Sequence, residues 1–249
     1  MTILGKLKKW RRRIIYKTTI CGLDCYCFSW QPIGSNMYVI LFGNEALIID
    51  ACSFPDELKQ ILDLNHIDKC YLILTHEHYD HIRCANELKK FVNTNLICSE
   101  SCSLALADPR KNGASFFAAM FKMKNHSLWN AASELIDTHY IVLADTVYKN
   151  DFVMSWQGLK IRIHESPGHS IGSQLVTINN QIIFTGDSVL PGEKIMLRMP
   201  GGDEIVYRNE TVPYLTSLGI MDIYPGHGEF VLKYDMKNNF ESKNFFWKR

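Results

Sequence analysis

The stretch THEHYDH, residues 75–81, places three histidines and two acids in seven positions. It directly follows the apolar run CYLIL, which is typical of a buried strand, and precedes a segment whose apolar residues have helical spacing. A loop at the end of a buried strand is held rigidly by the scaffold. In extended backbone, residues two apart point to the same side, so His76 and His78 can bind one metal ion, while Asp80 and His81 can point to a second.

Three other stretches supply candidate metal ligands. SPGHS contains His169, FTGDS contains Asp187 and YPGHG contains His227, and in each the residue follows a predicted strand on a turn of small residues. A lone histidine on a turn is usually a surface residue. Four stretches that share one architecture favour a metal centre instead, because imidazole nitrogens and carboxylate oxygens are common ligands of zinc.

The hydrophobic pattern predicts an α/β fold. Short runs rich in Val, Ile, Leu and Tyr predict strands at NMYVILFG, EALIIDA, CYLILTH, GLKIRIHES, SQLVTINN, QIIFTGD and MDIYPGHG. Helical spacing predicts helices at FPDELKQILDLNH, DHIRCANELKKFV and RNETVPYLTSLG, with Pro213 near a first turn. We expect a hairpin turn at Asn179–Asn180. Two such halves predict two sheets packed face to face with helices outside, a four-layer αββα sandwich.

The chain divides into a basic tail, residues 1–13, and a domain over residues 14–249. Within the domain, residues 99–148 are helical in composition. An aromatic and methionine stripe in this segment is expected either to pack in the core or to form a lid over an apolar ligand. The stripe comprises Phe116, Phe117, Met120, Phe121 and Met123.

Composition excludes several classes of protein. The 249 residues carry a net charge of +1, which gives no reason to expect a nucleic-acid partner. No apolar run approaches the roughly 20 residues that cross a bilayer, so no transmembrane segment is expected. The basic N-terminus lacks the apolar region of a secretory signal, which predicts a cytoplasmic protein. The tail is expected to fray or pack, with at most weak contact to an anionic surface.

The eight cysteines are predicted to be buried small hydrophobes, since a reducing compartment is expected. The alternative for CGLDCYC, residues 21–27, is a structural zinc site.

These motifs together resemble the metallo-β-lactamase superfamily. The pattern H-x-H-x-D-H at 76–81 is followed by His169, Asp187 and His227 in the order of that family, and the resemblance covers the chain from about Ile33 to the end. DPRKN, SPGHSIGS, IIFTGDSV, PGGD and YPGHG are most similar to single-domain bacterial members of the glyoxalase II (hydroxyacylglutathione hydrolase) branch.

The resemblance implies a dinuclear centre and a reaction. One ion would be bound by His76, His78 and His169, the other by Asp80, His81 and His227, and Asp187 would bridge them. Asp50 matches the family's acid that accepts the free N–H of a ligand histidine. Two zinc ions are expected, with iron or manganese possible. A bridging hydroxide would hydrolyse a thioester or ester of a small-molecule substrate, with Asp80 as the catalytic residue that orients the water.

Several departures leave other functions open. Only 22 residues follow His227, fewer than the glutathione-binding helical domain of glyoxalase II needs. Zinc β-lactamases have cysteine where this chain has Asp187, and lactonases commonly have a tyrosine soon after it. The alternatives are a lactonase or other small-molecule metallohydrolase, or a non-hydrolytic redox or metal-binding relative. The remaining histidines are expected to be structural or superficial: His66, His126, His139 and His164.

Overall fold

The computed structural model describes residues 15–30, 33–124 and 136–241, and the side chains of these residues except 15, 120–124 and 241. The basic tail, His126 and the side chains of Met120, Phe121 and Met123 therefore lie outside the described residues. The first seven strands are β1 (Ile15–Ile20), β2 (Leu23–Trp30), β3 (Ser35–Phe42), β4 (Glu45–Ile49), β5 (Lys69–Ile73), β6 (Asn93–Ser99) and β7 (Thr146–Tyr148). The other six are β8 (Asp151–Trp156), β9 (Leu159–Glu165), β10 (Gln174–Ile178), β11 (Ile182–Gly186), β12 (Ile220–Pro225) and β13 (Val231–Asp235). The helices are α1 (Asp56–Leu64), α2 (Tyr79–Ile82), α3 (Ala85–Phe91), α4 (Glu100–Leu106), α5 (Ala114–Lys124), α6 (Glu204–Val206), α7 (Val212–Ser217) and α8 (Met236–Glu241).

The strands form two sheets. The first contains β1 to β7 in chain order, antiparallel from β1 to β4 and parallel from β4 to β7. The second has the order β13-β12-β11-β10-β9-β8, and only its β11–β12 pair is parallel. In both sheets, the parallel strands end at the edge where the predicted ligands follow.

The sheets and helices pack as the predicted four-layer αββα sandwich. Between the sheets, Ile40 and Ile49 of the first pack with Ile163 and Phe184 of the second. Their opposite faces are covered by helices, such as α1, which buries Leu58 and Leu62 one turn apart. Among the described residues, no helix combines the length and apolar character needed to span a membrane.

The segment CGLDCYC, residues 21–27, forms the turn and the start of the second strand of the N-terminal hairpin, which consists of β1 and β2. Cys25 and Cys27 lie in β2 and are buried between the sheets, whereas Cys21 is exposed on the turn to β1. Seven of the eight cysteines are buried, which confirms their interpretation as small hydrophobes for all but Cys21. No cysteine belongs to a three-residue group with metal-ligand spacing in the described part of the chain.

The predicted helix over residues 80–92 divides into α2 and α3. The cause lies at Cys84, whose backbone leaves helical geometry and whose N–H donates to the carbonyl of Ala51 at 2.9 Å. The carbonyl of His81 accepts from Ala51 N–H at 2.6 Å. This exchange of hydrogen bonds fixes the short helix that carries Asp80 and His81 against the loop after β4.

The predicted helix at RNETVPYLTSLG begins earlier. Asp203 caps its N-terminus by accepting from the N–H groups of Ile205 and Val206, and a wide π turn over residues 207–211 joins α6 to α7. Pro213 lies in the first turn of α7, as expected, because it has no N–H to donate.

The 99–148 segment contains helices α4 and α5, as its composition predicts, but each end belongs to the first sheet. Ser99 closes β6, and Thr146–Tyr148 forms the edge strand β7. Phe117 is buried against Trp30 and Tyr79, with ring centroids 5.8 and 5.1 Å apart, so this part of the stripe packs in the core.

Candidate metal centre

The predicted ligands meet at the edge where the two sheets adjoin. The motif loop follows β5, whereas Asp187 and His227 follow β11 and β12 of the other sheet. Backbone bonds join the sheets here: Gln174 N–H donates to the Thr75 carbonyl at 2.8 Å, and Asn36 N–H donates to the Gly226 carbonyl at 2.7 Å. Both sheets thus position one site.

The side chains form three overlapping groups in which all ligand atoms lie within 4.8 Å of one another. The groups are His76, His78 and His169; His76, His81 and Asp187; and Asp80, His81 and His227.

Hydrogen bonds to backbone carbonyls fix the tautomers of His78 and His169. His169 Nδ1 lies 2.8 Å from the carbonyl of Met196, and His78 Nε2 lies 3.1 Å from that of Pro200. A carbonyl only accepts, so these nitrogens carry the protons. The lone pairs on His169 Nε2 and His78 Nδ1 then face each other at 3.0 Å.

Asp50 orients two further histidines. Its Oδ2 lies 2.9 Å from His81 Nδ1 and also accepts from the Thr75 hydroxyl at 2.7 Å. Because the hydroxyl proton is used in that bond, Thr75 Oγ1 accepts from His76 Nδ1 at 3.0 Å. Both imidazoles therefore turn Nε2 into the site, and the contact expected of Asp50 extends to a second histidine through Thr75.

The second half of the site combines His227 with the carboxylates. His227 Nδ1 lies 3.2 Å from the carbonyl of Ile33. Its Nε2 faces Asp80 Oδ2 at 3.3 Å and Asp187 Oδ2 at 3.4 Å. His81 Nε2 is 3.2 Å from Asp80 Oδ2 and 3.4 Å from His227 Nε2.

These residues fit a pair of metal ions. Ligand atoms of a tetrahedral zinc site, with bonds of about 2.0–2.1 Å, lie roughly 3.3 Å apart, close to the spacings given above. Inward lone pairs at such distances repel unless a cation lies between them. In the described part of the chain, three buried side-chain polar atoms lack a hydrogen-bond partner, and two of them are His76 Nε2 and Asp187 Oδ1. Both are predicted ligands and both are left for a group other than the protein.

The charges of the site differ between its two halves. Burial lowers the pKa of His169 to about 4, although Asp187 opposes the shift. Burial also works against a charged His227, but Asp187 and Asp80 raise its pKa to about 10. Burial likewise opposes ionisation of Asp80, but His81 and His227 hold its pKa well below its usual range. The half with both carboxylates therefore holds ionised acids whose charge is balanced by the imidazoles, and a metal cation could take over that balance from the imidazole protons.

Two glycines allow the strands to end this close to the ligands. A Cβ on Gly226 would lie 2.3 Å from Asp187 Oδ1. A Cβ on Gly186 would lie 2.6 Å from Thr75 Cβ, and its φ of +48° is also unfavourable for other residues. Gly186 in FTGDS and Gly226 in YPGHG are thus required because any larger residue would clash with Thr75 or Asp187.

Two buried polar residues support the site and were not predicted. Glu77, between the motif histidines, points away from the ligands and accepts from the Ser170 hydroxyl at 2.8 Å and from Gly172 N–H at 3.4 Å. Asn36 donates to the carbonyls of Pro225 and Gly228 at 3.1 and 2.8 Å. Glu77 thereby joins the motif loop to the His169 loop, and Asn36 holds the turn of His227. The position of Glu77 between two histidines was a sequence signal that could have indicated its role. The sequence contains no comparable signal for Asn36.

Replacing Glu77 by alanine is expected to lower the free energy of unfolding by about 2 kcal/mol, because a buried hydroxyl and a buried N–H lose a charged acceptor. Urea denaturation measures the change. Glu77→Gln, which keeps one acceptor oxygen, should lose less, and Glu87→Ala on the exposed face of α3 is the control. A loss for Glu77→Ala no larger than that of the control would contradict this role.

The other described histidines lie away from the cluster. His66 and His139 are exposed. His164, on β9, contacts Asp151 at 2.5 Å and stacks on the Tyr214 ring at 3.6 Å. This agrees with their predicted structural or superficial roles.

Comparison with known proteins identifies the family of the chain. A profile described as the metallo-beta-lactamase superfamily matches residues 30–227. The chain belongs to the metallo-beta-lactamase superfamily. It is 22% identical over 220 residues to the Drosophila melanogaster Beta-lactamase-like protein 2 homolog, covering 84% of this chain and 63% of the relative. The chain thus spans less than two thirds of that relative's length.

Solved structures share the superfamily fold. The crystal structure of the BLEG-1 B3 metallo-beta-lactamase superposes with a TM-score of 0.69 at 20% identity, over 89% of this chain and 98% of that one. TTHA1623 in a di-iron-bound form gives 0.65 at 20% identity, over 88% and 98%. At these sequence identities, the structural similarity shows a shared fold and nothing about activity. The predicted family and αββα architecture are confirmed, and the superfamily's metal-binding character agrees with the histidine and aspartate groups.

Proposed function

We propose that this protein is a dinuclear metal-dependent hydrolase that cleaves a thioester or ester of a small molecule. The observation that carries the proposal is the position of Asp187. Its Oδ1 lies 3.5 Å from His81 Nε2, and its Oδ2 lies 3.6 Å from His169 Nε2. One carboxylate therefore faces both histidine groups, as a ligand shared by two ions would.

The first ion would be held by His76, His78 and His169, and the second by Asp80, His81 and His227. When bound, such a pair would lower the pKa of a shared water towards about 7 and polarise a substrate carbonyl. Zinc suits these nitrogen and oxygen donors. Iron is the second candidate metal, because the structurally similar TTHA1623 was solved in a di-iron-bound form.

Asp80 is the proposed catalytic residue. Its Oδ2 contacts both His81 and His227, so the carboxylate is fixed in orientation. In this proposal it would orient the attacking water and accept its proton. A cysteine nucleophile is not required: burial raises the pKa of the Cys27 thiol to about 12, for example, and seven of the eight thiols are buried.

An apolar acyl group is the preferred substrate half. Ile171, two residues after His169, is 54% exposed, and Met196, whose carbonyl contacts His169, is 60% exposed. These side chains offer apolar surface close to the ligands. Phe116 on α5 is also exposed. We propose that this part of the segment forms a lid over the acyl group.

A substrate panel tests the proposal. Protein purified without chelators and analysed for metal should carry about two ions per chain. We expect it to hydrolyse thioesters with an apolar acyl group, or activated esters, faster than S-lactoylglutathione, homoserine lactones, a β-lactam or a phosphodiester. Addition of a chelator should abolish turnover. A protein free of transition metal, or one active only on the phosphodiester, would overturn the proposal.

The redox alternative makes a distinct prediction in the same assay. An iron-loaded, non-hydrolytic relative would show no turnover on any panel member with either zinc or iron bound. Oxygen consumption in the presence of a reductant would then favour that alternative.

A further inference from the structure

A cavity of about 320 Å³ lies along residues 194–198, a segment that contacts the candidate ligand His169 through the Met196 carbonyl. Its lining residues are Lys194, Ile195, Met196, Leu197, Arg198, Glu204 and Arg208. Ligand-binding cavities begin at about 300 Å³, so this space is large enough for a small chemical group and part of its linker.

The cavity is adjacent to the site through the backbone. Met196 lines it, while the carbonyl of the same residue lies 2.8 Å from the outward nitrogen of His169. Four residues later, the Pro200 carbonyl contacts His78. The segment that carries the cavity's cations therefore also orients two metal-ligating histidines, and one imidazole ring separates the Met196 carbonyl from the inward nitrogen of His169.

The cavity carries a net positive charge. Arg208 is paired with Glu204 at 2.6 Å, so these charges offset each other. Lys194 and Arg198 are exposed and have no ion pair among the residues that the structure describes. Two cations are left for a ligand, beside the apolar side chains of Ile195 and Leu197.

A phosphate monoester matches this charge. It carries about −1.5 to −2 charges at pH 7, whereas a carboxylate carries one. The guanidinium of Arg198 offers paired N–H donors that fit phosphate oxygens, and Lys194 adds a compact charge. We infer that this cavity binds a phosphate group, so that the thioester or ester cleaved at the metal centre is part of a phosphate monoester. This inference rests on the proposed hydrolase function and names its substrate class.

Matched substrate pairs test the inference. S-acyl pantetheine and S-acyl phosphopantetheine share the thioester and differ by one phosphate, and S-acyl 2-mercaptoethanol and its O-phosphate form a shorter pair. For at least one pair, we expect kcat/KM to be about tenfold or more higher for the phosphorylated member, as for one charge-assisted contact.

Variants of the two cations assign the preference to the cavity. Arg198→Ala and Lys194→Ala should each reduce the ratio of kcat/KM between phosphorylated and unphosphorylated members about threefold or more, mainly through KM, because the two cations share the roughly tenfold preference. Arg198→Lys should restore part of the ratio. Lys160→Ala, an exposed cation on β9 outside the cavity lining, is the control and should leave the ratio unchanged.

The outcomes separate the inference from the function on which it rests. Equal hydrolysis of both members by the wild type would overturn the phosphate inference and leave the hydrolase proposal standing. If no member is hydrolysed, the hydrolase proposal fails, and calorimetric binding of a non-cleavable thioether of phosphopantetheine decides the inference. Binding that Arg198→Ala abolishes would support the cavity as a phosphate site; absence of binding, or equal binding by the variant, would overturn it.

Discussion

Replacing Asp187 by alanine is expected to lower hydrolytic turnover at least a hundredfold and to reduce the metal content of the purified protein. Even outer residues that only orient metal ligands contribute about 10–100-fold to metal affinity or activity, so a ligand shared by two ions should contribute more. Asp187 also faces His81, His169 and His227. Without its carboxylate, these imidazoles face each other with less negative charge to bind a cation.

Elemental analysis, together with the rate on the best substrate of the panel, measures both effects. Asp63→Ala, which removes an exposed acid from α1, is the control for general damage. Asp187→Asn keeps the size of the side chain but removes its charge, and it should retain less than the wild-type metal content. A variant with two ions per chain and near wild-type turnover would refute a bridging role for Asp187.

The sandwich could be predicted because its central strands are strongly patterned. β4, β5, β10 and β11 are short apolar runs that end in turn residues, and their burial follows from that pattern. The N-terminal hairpin was missed as a hairpin because its turn consists of Cys21 and Gly22, both with positive φ, and cysteine is not a usual turn residue. β7 was missed because it has three residues and forms only by pairing with β6.

The grouping of the candidate ligands in space could be predicted because each one follows a strand on a recognisable turn. The residues that orient them could be predicted only in part. Asp50 was expected from the family resemblance, whereas the partners of His78, His169 and His227 are the carbonyls of Pro200, Met196 and Ile33. Every residue has a carbonyl, so composition cannot indicate which one will accept. The helix break at Cys84 has the same origin, because its N–H bonds to Ala51, which is distant in sequence.

Replacing Asp80 by alanine is expected to separate metal binding from catalysis. Asp80 contacts His81 and His227, whereas the group of His76, His78 and His169 forms without it. The variant should therefore keep about one ion per chain and lose at least a hundredfold in kcat, because the second ion and the group that orients the water are both lost. Metal analysis and steady-state kinetics on the same preparation measure the two quantities.

The matched comparison is His78→Ala, which removes a proposed ligand of the other group. His78 faces His169 at 3.0 Å and does not contact Asp80's partners His81 and His227 by hydrogen bond. Its loss should deplete the first ion, so the two variants should differ in which ion titrates back when metal is added. Because Asp80 is proposed to act on the water as well as on the metal, excess zinc should restore the ion content of Asp80→Ala without restoring its rate. Restoration of full activity by zinc would show that Asp80 is a ligand only, and full activity with a single ion would show that the second ion is dispensable.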